Sequence, residues 1–380
     1  MQRIDHPLLS SSLGSLKTLT SFHFGKPGRG RKIYIEASLH AEELPGMLVA
    51  HHLRALFEAF EAAGQIEGEI VLVPVANPIG LAQRLDHKPM GRFELDSSEN
   101  FNRHYPDLAA AVEPAVRPQL GADAQANVRT VRQAIGNYLK NWQPDTELQS
   151  LRRTLLTLAH DADYVLDLHC DCEGVLHFYT EEACWPQMQE LAHFLGAQAI
   201  LLAKSSGNRP IDECLSGAWW QLADRLKANG VDIGVAVPLP QGCCSTTIEL
   251  RGELDVSHAW AKKDADAIVA WLQYKGILAC NQPPEVPHAL CAATPLAGSE
   301  SLHAPAPGMV VFAAEPGQIL QAGDLVAEVI DPIANTSHRV TAGVTGVFYA
   351  RIRDRYITSG GELGKIAGAQ AFRSGELLGA

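Results

Sequence analysis

The feature that most constrains the fold is an alternation of strand and helix patterns over residues 32–275. Apolar, β-branched runs are typical of strands that are buried on both faces of a sheet, and they occur at residues 32–40, 69–77, 164–170, 197–204 and 245–252. Helical periodicity is found at residues 45–64, 123–160 (interrupted around Pro144), 185–195, 214–229 and 257–275. The alternation predicts an α/β fold with a mixed, mainly parallel sheet and helices on both faces.

The pattern changes after about Gly276. Residues 286–300 are rich in proline and alanine and are interpreted as a linker. From Ser301 onward, short strand-like segments alternate with glycines and predict a small all-β domain. The predicted organisation is therefore a large domain at 1–285 with a helical insertion near 107–160, the linker at 286–300, and a C-terminal β domain at 301–380.

Composition excludes some classes of function. The net charge of −12 and the absence of a basic cluster argue against a nucleic-acid partner. No apolar run is long enough for a membrane span, and no secretory signal is recognisable, so we expect a cytoplasmic protein. The eight cysteines lack disulfide-scaffold spacing and suit reduced thiols. Cys170 and Cys172 form an isolated C-x-C, which is weak evidence for a thiolate metal site.

The first candidate site motif follows the first buried strand. His40 and Glu43 lie between that strand and the helix that starts at Pro45, so they occupy a strand carboxyl end, where open α/β sheets place their sites. A histidine and a glutamate three residues apart can converge on one cation. The alternative is that Glu43 only stabilises the positive end of the helix dipole.

The second motif ends another buried strand. His169 is a candidate third metal ligand, and Asp167, two residues earlier, shares its strand face and could support an imidazole N–H. A histidine at a strand end with no metal role is the alternative. Together with His40 and Glu43 it makes a set of two histidines and one carboxylate, which suits a catalytic zinc that keeps a position for water.

Glu249 is a carboxylate within an otherwise apolar strand. Its burial costs several kcal/mol unless the group is paired or functional. A general base near the metal would explain its presence. The alternative is a structural ion pair with Arg251, which by strand periodicity lies on the same face.

A polar segment after the second strand supplies possible substrate-binding donors. Arg92 and the pair Asn102 and Arg103 could bind a carboxylate or a developing oxyanion. In the alternative interpretation this is a solvated loop whose arginines pair with Asp96 and Glu99.

These four elements, in this order, resemble the zinc carboxypeptidase superfamily and, within it, the succinylglutamate desuccinylase/aspartoacylase family, over roughly residues 30–255. The resemblance implies that His40, Glu43 and His169 are the zinc ligands and that Asp167 precedes the third ligand as in the family. It also implies that Glu249 is the catalytic glutamate and that Arg92 polarises the scissile carbonyl. Asn102 and Arg103 would then be the pair that binds the substrate carboxylate. Asn100-Phe101 replaces the family's usual Asp-Leu before Asn-Arg.

The C-terminal domain also fits this family, and it is similar to biotinyl/lipoyl sandwiches. A carrier domain needs an exposed lysine, and there is none between Ser301 and Leu363. We therefore expect the domain to border the active-site mouth or to mediate assembly.

The predicted function is zinc-dependent hydrolysis of the amide bond of N-acyl amino acids or related small amides, with one Zn²⁺ per chain. A metallocarboxypeptidase that acts on peptide C-termini is the alternative with the same ligands, and a catalytically silent metal-binding or assembly protein is the alternative from another class. The expected partner is a small-molecule substrate, with neither nucleic acid nor membrane involved. Homo-oligomerisation is left open.

Overall fold

The computed structural model describes residues 1–234 and 236–379. Its helices are α1 (Pro45–Ala62), α2 (Pro78–Leu81), α3 (Leu108–Val116), α4 (Ala124–Asn141), α5 (Glu147–Ala159), α6 (Trp185–Leu195), α7 (Ile211–Ala228) and α8 (His258–Tyr274), with 3-10 turns at Arg117–Gln119 and Leu296–Gly298. Among these described helices, none combines the length and the apolar content needed to span a bilayer.

The first part of the chain forms the main sheet and two small strand pairings. Its strands are β1 (Gln2–Pro7), β2 (Thr18–Gly25), β3 (Lys32–Ala37), β4 (Glu69–Val73), β5 (Arg84–Leu85), β6 (Lys88–Pro89), β7 (Tyr164–Asp171), β8 (Glu173–Gly174), β9 (Leu176–Glu181), β10 (Ala199–Ala203), β11 (Cys244–Gly252) and β12 (Thr294–Pro295). Within the described residues the main sheet has nine strands in the order β1-β2-β4-β3-β7-β11-β9-β10-β12. The neighbours β4, β3, β7 and β11 are mutually parallel, so four carboxyl ends meet at one edge.

Both faces of this sheet are covered by helices, as predicted. Successive side chains of β3 point to opposite faces of the sheet. Ile33 and Ile35 pack on one face, in an apolar cluster with α1, α6 and α8. Tyr34 packs on the other face with α3, α4, α5 and α7. Strands buried on both faces explain why the sequence runs are apolar without a period of two.

The five predicted strands are all present, with shifted ends. β3 ends at Ala37 and β4 at Val73, earlier than predicted, and α7 begins at Ile211 rather than at residue 214. The sequence interpretation missed the antiparallel pair β1 and β2 and the strand β9. β1 is largely exposed, and β9 carries the buried polar residues His177, Thr180 and Glu181, so neither shows a clear apolar pattern.

The C-terminal part contains two antiparallel sheets. Its strands are β13 (Ser299–His303), β14 (Gly308–Phe312), β15 (Ile319–Leu320), β16 (Leu325–Asp331), β17 (Thr336–Thr341), β18 (Gly346–Arg351), β19 (Tyr356–Ile357) and β20 (Glu362–Gly368). The sheets are β13-β20-β18-β15, to which β8 adds through β18, and β17-β16-β14-β19. The pairing of β8 with β18 joins this part to the segment that follows β7. The predicted boundaries at 285 and 301 remain a proposal about domain organisation.

Candidate metal centre and substrate cleft

The predicted site residues lie at the carboxyl ends of the four adjacent parallel strands. His40 and Glu43 lie in the turn between β3 and α1, and His169 is near the end of β7. Glu249 in β11 is directly opposite His169 in the strand register. This is the edge at which α/β sheets place their functional groups.

His40, Glu43 and His169 form one compact cluster. A ligand atom from each lies within 4.8 Å of the others, and all three residues are buried. The two carboxylate oxygens of Glu43 face the two rings, with Oε1 2.9 Å from His40 Nδ1 and Oε2 2.7 Å from His169 Nδ1. The cluster can therefore present two imidazole nitrogens and one carboxylate to a single metal ion.

The outer nitrogen of each imidazole is also bound. Nε2 of His40 lies 2.8 Å from Asn100 Oδ1, and Nε2 of His169 lies 2.8 Å from Asp167 Oδ2. Such hydrogen bonds place the proton on Nε2 and leave Nδ1 as the ligand atom, which is the usual arrangement around metal-binding histidines. The residues present therefore fit a divalent metal ion.

Electrostatics support the same assignment. Burial, and then the charge of Arg92, lower the pKa of His40 to about 4, so this imidazole is neutral near pH 7, which is the form that binds a metal. Burial opposes protonation of His169 as well, but the carboxylates of Asp167 and Glu43 raise its pKa well above the ordinary value. A proton on Nδ1 then compensates the Glu43 charge, and a bound cation would take over that role.

Glu249 lines the same cleft as the cluster. Burial, followed by the charge of Glu43, raises the pKa of Glu249 to about 8. Among the described residues, no hydrogen-bond donor or counter-ion contacts its carboxylate. At this pKa the group is mostly protonated near pH 7 in the metal-free protein, and it becomes available to accept a proton where a bound cation lowers the pKa.

The alternative ion pair between Glu249 and Arg251 is not formed. Arg251 instead pairs with the buried Asp264 and lies over the ring of Trp260 at 4.5 Å. The strand register shifts between Glu249 and Gly252, and Arg251 has a φ of +68°. This bulge breaks the period of two on which the pairing was based.

Arg92 reaches the cluster from the segment that follows β4. Its Nη1 is 3.4 Å from Glu43 Oε1. The close approach depends on Gly91, because a Cβ there would lie 2.5 Å from the backbone nitrogen of Glu42. The alternative, in which the loop arginines pair with Asp96 and Glu99, does not hold for Arg92, since Arg92 contacts Glu43 and Glu99 pairs with Arg152 at 2.8 Å.

Asn102 and Arg103 are buried beside the cluster. Oδ1 of Asn102 accepts a hydrogen bond of 2.9 Å from the N–H of Ile211 at the start of α7, and its Nδ2 lies 3.4 Å from Asp167 Oδ2. The guanidinium of Arg103 donates to two backbone carbonyls, those of Asn102 at 2.8 Å and Gly379 at 2.7 Å. No carboxylate of the described residues lies within salt-bridge distance of it, so Arg103 is buried without a direct ion pair among them, although Asp212, Glu213 and Glu249 act on its charge from farther away.

The cleft around these groups has a volume of about 880 Å³. One wall comes from the C-terminal β domain, through Ser299, Tyr349 and Lys365. Lys365 Nζ lies 3.2 Å from Asp171 Oδ2, which ties this wall to the end of β7. The C-terminal part therefore borders the cleft, as one of the two expected roles of the β domain requires, and its role stays a prediction.

The cysteines of the cleft are poor metal ligands. Cys170 and Cys172 both line it as free thiols. Burial, and then Glu43 for Cys170 and Asp171 for Cys172, raise both thiol pKa values, to about 12 for Cys172. As protonated thiols in the metal-free protein, they are less ready ligands than the neutral imidazole of His40.

Residues 29–209 match the family model described as the succinylglutamate desuccinylase/aspartoacylase catalytic domain. This part of the chain belongs to that family. The match includes His40, Glu43 and His169 but ends before Glu249. It supports a hydrolase of the deacylase type.

Solved structures resemble the chain over nearly its whole length. A crystal structure of a proposed succinylglutamate desuccinylase/aspartoacylase family protein from Shewanella amazonensis has a TM-score of 0.82 and 25% identity, with 97% of this chain and 98% of that chain covered. A proposed succinylglutamate desuccinylase/aspartoacylase from Shewanella frigidimarina has a TM-score of 0.82 and 23% identity, with 97% of each chain covered. The product-bound ectoine utilization protein EutE (DoeB) from Ruegeria pomeroyi shares the fold, with a TM-score of 0.66, 15% identity, and 96% and 93% of the chains covered. No curated protein matches the chain.

Sequence reasoning missed Asn100 and Arg152. Asn100 stands where the succinylglutamate desuccinylase/aspartoacylase family usually has an acid, and this substitution was the signal that could have identified it as the partner of His40. Arg152 of α5 donates to the carbonyl oxygen of Asn100 at 3.1 Å. The predicted helical insertion thus supports the segment that carries Asn100 and Arg103.

Proposed function

We propose that the chain hydrolyses the amide bond of N-acyl amino acids or closely related small amides, with one zinc ion held by His40, Glu43 and His169. Two imidazoles and one carboxylate are the donor set of catalytic zinc sites, which keep one position for water or substrate. When bound, the ion would lower the pKa of a water molecule and polarise the substrate carbonyl. The remaining roles fall to side chains of the chain itself.

The observation that carries the proposal is the unpaired carboxylate of Glu249 beside the cluster. The Glu249 side chain is only partly exposed, so desolvation of its carboxylate is costly, and the structural pair that could have offset this cost is formed by Arg251 and Asp264 instead. As a general base, Glu249 would accept a proton from the attacking water and then deliver it to the leaving amine.

Two arginines would orient the substrate. Arg92, beside Glu43, can donate to the carbonyl oxygen as negative charge develops there. Arg103 would bind the α-carboxylate of the amino-acid half, since its guanidinium is buried and forms no salt bridge with any described residue. Asn102 could add only its Nδ2 hydrogens, because its Oδ1 is bound to Ile211.

The shape of the cleft favours small substrates over polypeptides. Tyr349 and Lys365 of the β domain line one side, and residues 376–379 line the end near Arg103. A volume of about 880 Å³ is within the range of small-molecule sites. The metallocarboxypeptidase alternative requires space for an extended chain beyond these walls.

The test is a substrate panel assayed with the zinc-loaded protein. N-acyl amino acids that differ in the acyl group and in the amino acid are compared with blocked di- and tripeptides of the same C-terminal residues. We expect amine release from at least one N-acyl amino acid and little hydrolysis of the peptides. Preferential cleavage of the peptides would support the carboxypeptidase instead. Zinc loading without hydrolysis of any compound in the panel would contradict the proposal.

A further inference from the structure

The C-terminal tail, residues 372–379, returns from the β domain to the catalytic cleft. The N–H groups of Phe372 and Arg373 both donate to the carbonyl of Ala297. Arg373 in turn donates to the carbonyls of Ser299 at 3.1 Å and Leu377 at 2.7 Å. The tail therefore follows a defined path along the cleft wall.

Leu377 is the anchor of this tail. Its side chain is 9% exposed and belongs to an apolar cluster that includes Tyr179 and Leu201. Its N–H donates to the carbonyl of Ser206 at 2.8 Å. The tail also packs on Gly207, where a Cβ would lie 3.0 Å from Glu376 Cγ.

Beyond the anchor, Leu378 is partly buried against the same apolar cluster, whereas Gly379 is exposed. The N–H of Leu378 lies 3.4 Å from the Ser206 carbonyl, which is a long hydrogen bond. Nothing lies within 4 Å of the position that a Cβ of Gly379 would occupy. Yet the Gly379 carbonyl accepts a hydrogen bond of 2.7 Å from Arg103 Nη2.

We infer that residues 378–379, the tip of the tail, occupy the carboxylate-binding face of Arg103 and that a substrate carboxylate has to displace them. The inference rests on the proposed function, because it takes Arg103 as the group that binds the substrate carboxylate. The tip is then an internal competitor that regulates access to this end of the cleft.

The donors of Arg103 explain why the exchange favours the substrate. Nη1 is bound to Asn102, Nη2 is bound to Gly379, and Nε is buried without a partner. A neutral carbonyl satisfies one donor, and none of the described residues forms a salt bridge with the guanidinium. A carboxylate forms charge-assisted hydrogen bonds, which are about twice as strong, and it can accept two of them.

The test is a variant that ends at Leu377, which removes the tip and keeps the anchor. We expect KM for an N-acyl amino acid to fall while kcat stays at the parent value; thermal stability should decrease slightly, because Leu378 packs against the cluster of Leu377. A tip that is bound in about nine-tenths of the molecules would raise the apparent KM roughly tenfold, and truncation would remove that factor. Gly379→Ala is the matched control, since it keeps the carbonyl and adds a methyl group in open space, and its KM should equal that of the parent.

Two kinetic outcomes would overturn the inference. An unchanged KM in the truncated variant means that the tip does not compete with substrate. A higher KM or a lower kcat means that the tip forms part of the substrate site.

Hydrogen exchange separates this inference from the proposed function, because it needs no turnover. Arg103→Ala should accelerate amide exchange at Leu378, whose N–H donates to Ser206, and leave the interior of α7 unaffected. Unchanged exchange refutes the contact even if the enzyme hydrolyses its substrates. If exchange is accelerated but the protein hydrolyses nothing in the panel, the proposed function is refuted. Competition with substrate is then refuted as well, although the contact between Arg103 and the tip is supported.

Discussion

The two ends of the cleft differ in how their charged groups are satisfied. At the metal end, His40 and His169 each have one nitrogen facing Glu43 and the other bound to Asn100 or Asp167. At the proposed carboxylate end, Arg103 is also buried, but its hydrogen bonds to the described residues are all to neutral carbonyls.

The difference indicates that the two ends suit different kinds of ligand. Groups with a complete set of internal partners are held in one geometry, which suits a ligand that stays bound. A buried cation without a direct ion pair is held at an electrostatic cost and suits an anion that arrives and leaves. Changes at the metal end should therefore alter occupancy and chemistry, and changes at the other end should alter substrate binding.

The largest expected effect is loss of the metal itself. His169→Ala removes one of three ligands, so we expect zinc content to fall and activity to decrease to the background of the assay. Elemental analysis of the purified protein checks this, with about one zinc per parent chain as the reference. His288→Ala, on an exposed segment, is the control and should retain its zinc. Full occupancy in His169→Ala would place the third ligand elsewhere.

Next in size is the loss of the general base. Glu249→Gln keeps the length of the side chain but cannot accept a proton, so kcat should fall by about 10²- to 10⁴-fold. Zinc content and melting temperature should stay near the parent values. Glu253→Gln is a matched control, because Glu253 lines the same cleft but pairs with Arg353.

Two results would change the assignment of Glu249. Loss of zinc in Glu249→Gln would make this residue a ligand. Marked destabilisation with the metal retained would make it a structural group, and the base would then have to be another residue.

At the carboxylate end the effect should appear in substrate affinity. Arg103→Ala removes a charge-assisted interaction worth about 1.5–3 kcal/mol, which corresponds to roughly 10- to 100-fold in kcat/KM. Steady-state kinetics should show a higher KM, and zinc content should be unchanged. The parent should also react poorly with substrates whose α-carboxylate is amidated. Equal turnover of acid and amide forms would remove the carboxylate-binding role of Arg103.

The smallest effect is expected from loss of the hydrogen bond between His40 and Asn100. Asn100→Ala removes the acceptor for Nε2 of His40. Loss of such a partner weakens metal binding by about 10- to 100-fold. We expect the lower value because Asn100 is uncharged. A chelator competition measures this affinity, while kcat at saturating zinc should change little. Asn100→Asp keeps an acceptor oxygen and should restore binding. An Asn100→Ala protein with parental zinc affinity would show that the hydrogen bond does not support the ligand.

Much of the fold and part of the site could be predicted from local patterns. The apolar runs located β3, β4, β7, β10 and β11, because strands buried on both faces need apolar side chains in succession. The position of His40 and His169 after such runs placed them at one sheet edge.

Contacts between distant segments could not be predicted in this way. Because of the bulge in β11, Arg251 pairs with Asp264 rather than with Glu249. The alternation of side chains along a regular strand does not predict such a bulge. The bond between His40 and Asn100 joins residues 60 positions apart through a loop without periodicity.

The sequence by itself determined which strands carry the candidate site residues. A histidine and a glutamate follow one buried strand, a histidine lies at the end of another, and a carboxylate lies inside a third. Side chains near strand ends are positioned by hydrogen bonding of the strands themselves, so a local pattern is sufficient to place them. Only the tertiary structure decided which partners those groups have and that the tail reaches Arg103, a contact across 276 positions. Such contacts depend on the paths of loops and of the chain terminus, which are set by packing of the whole molecule rather than by neighbouring residues.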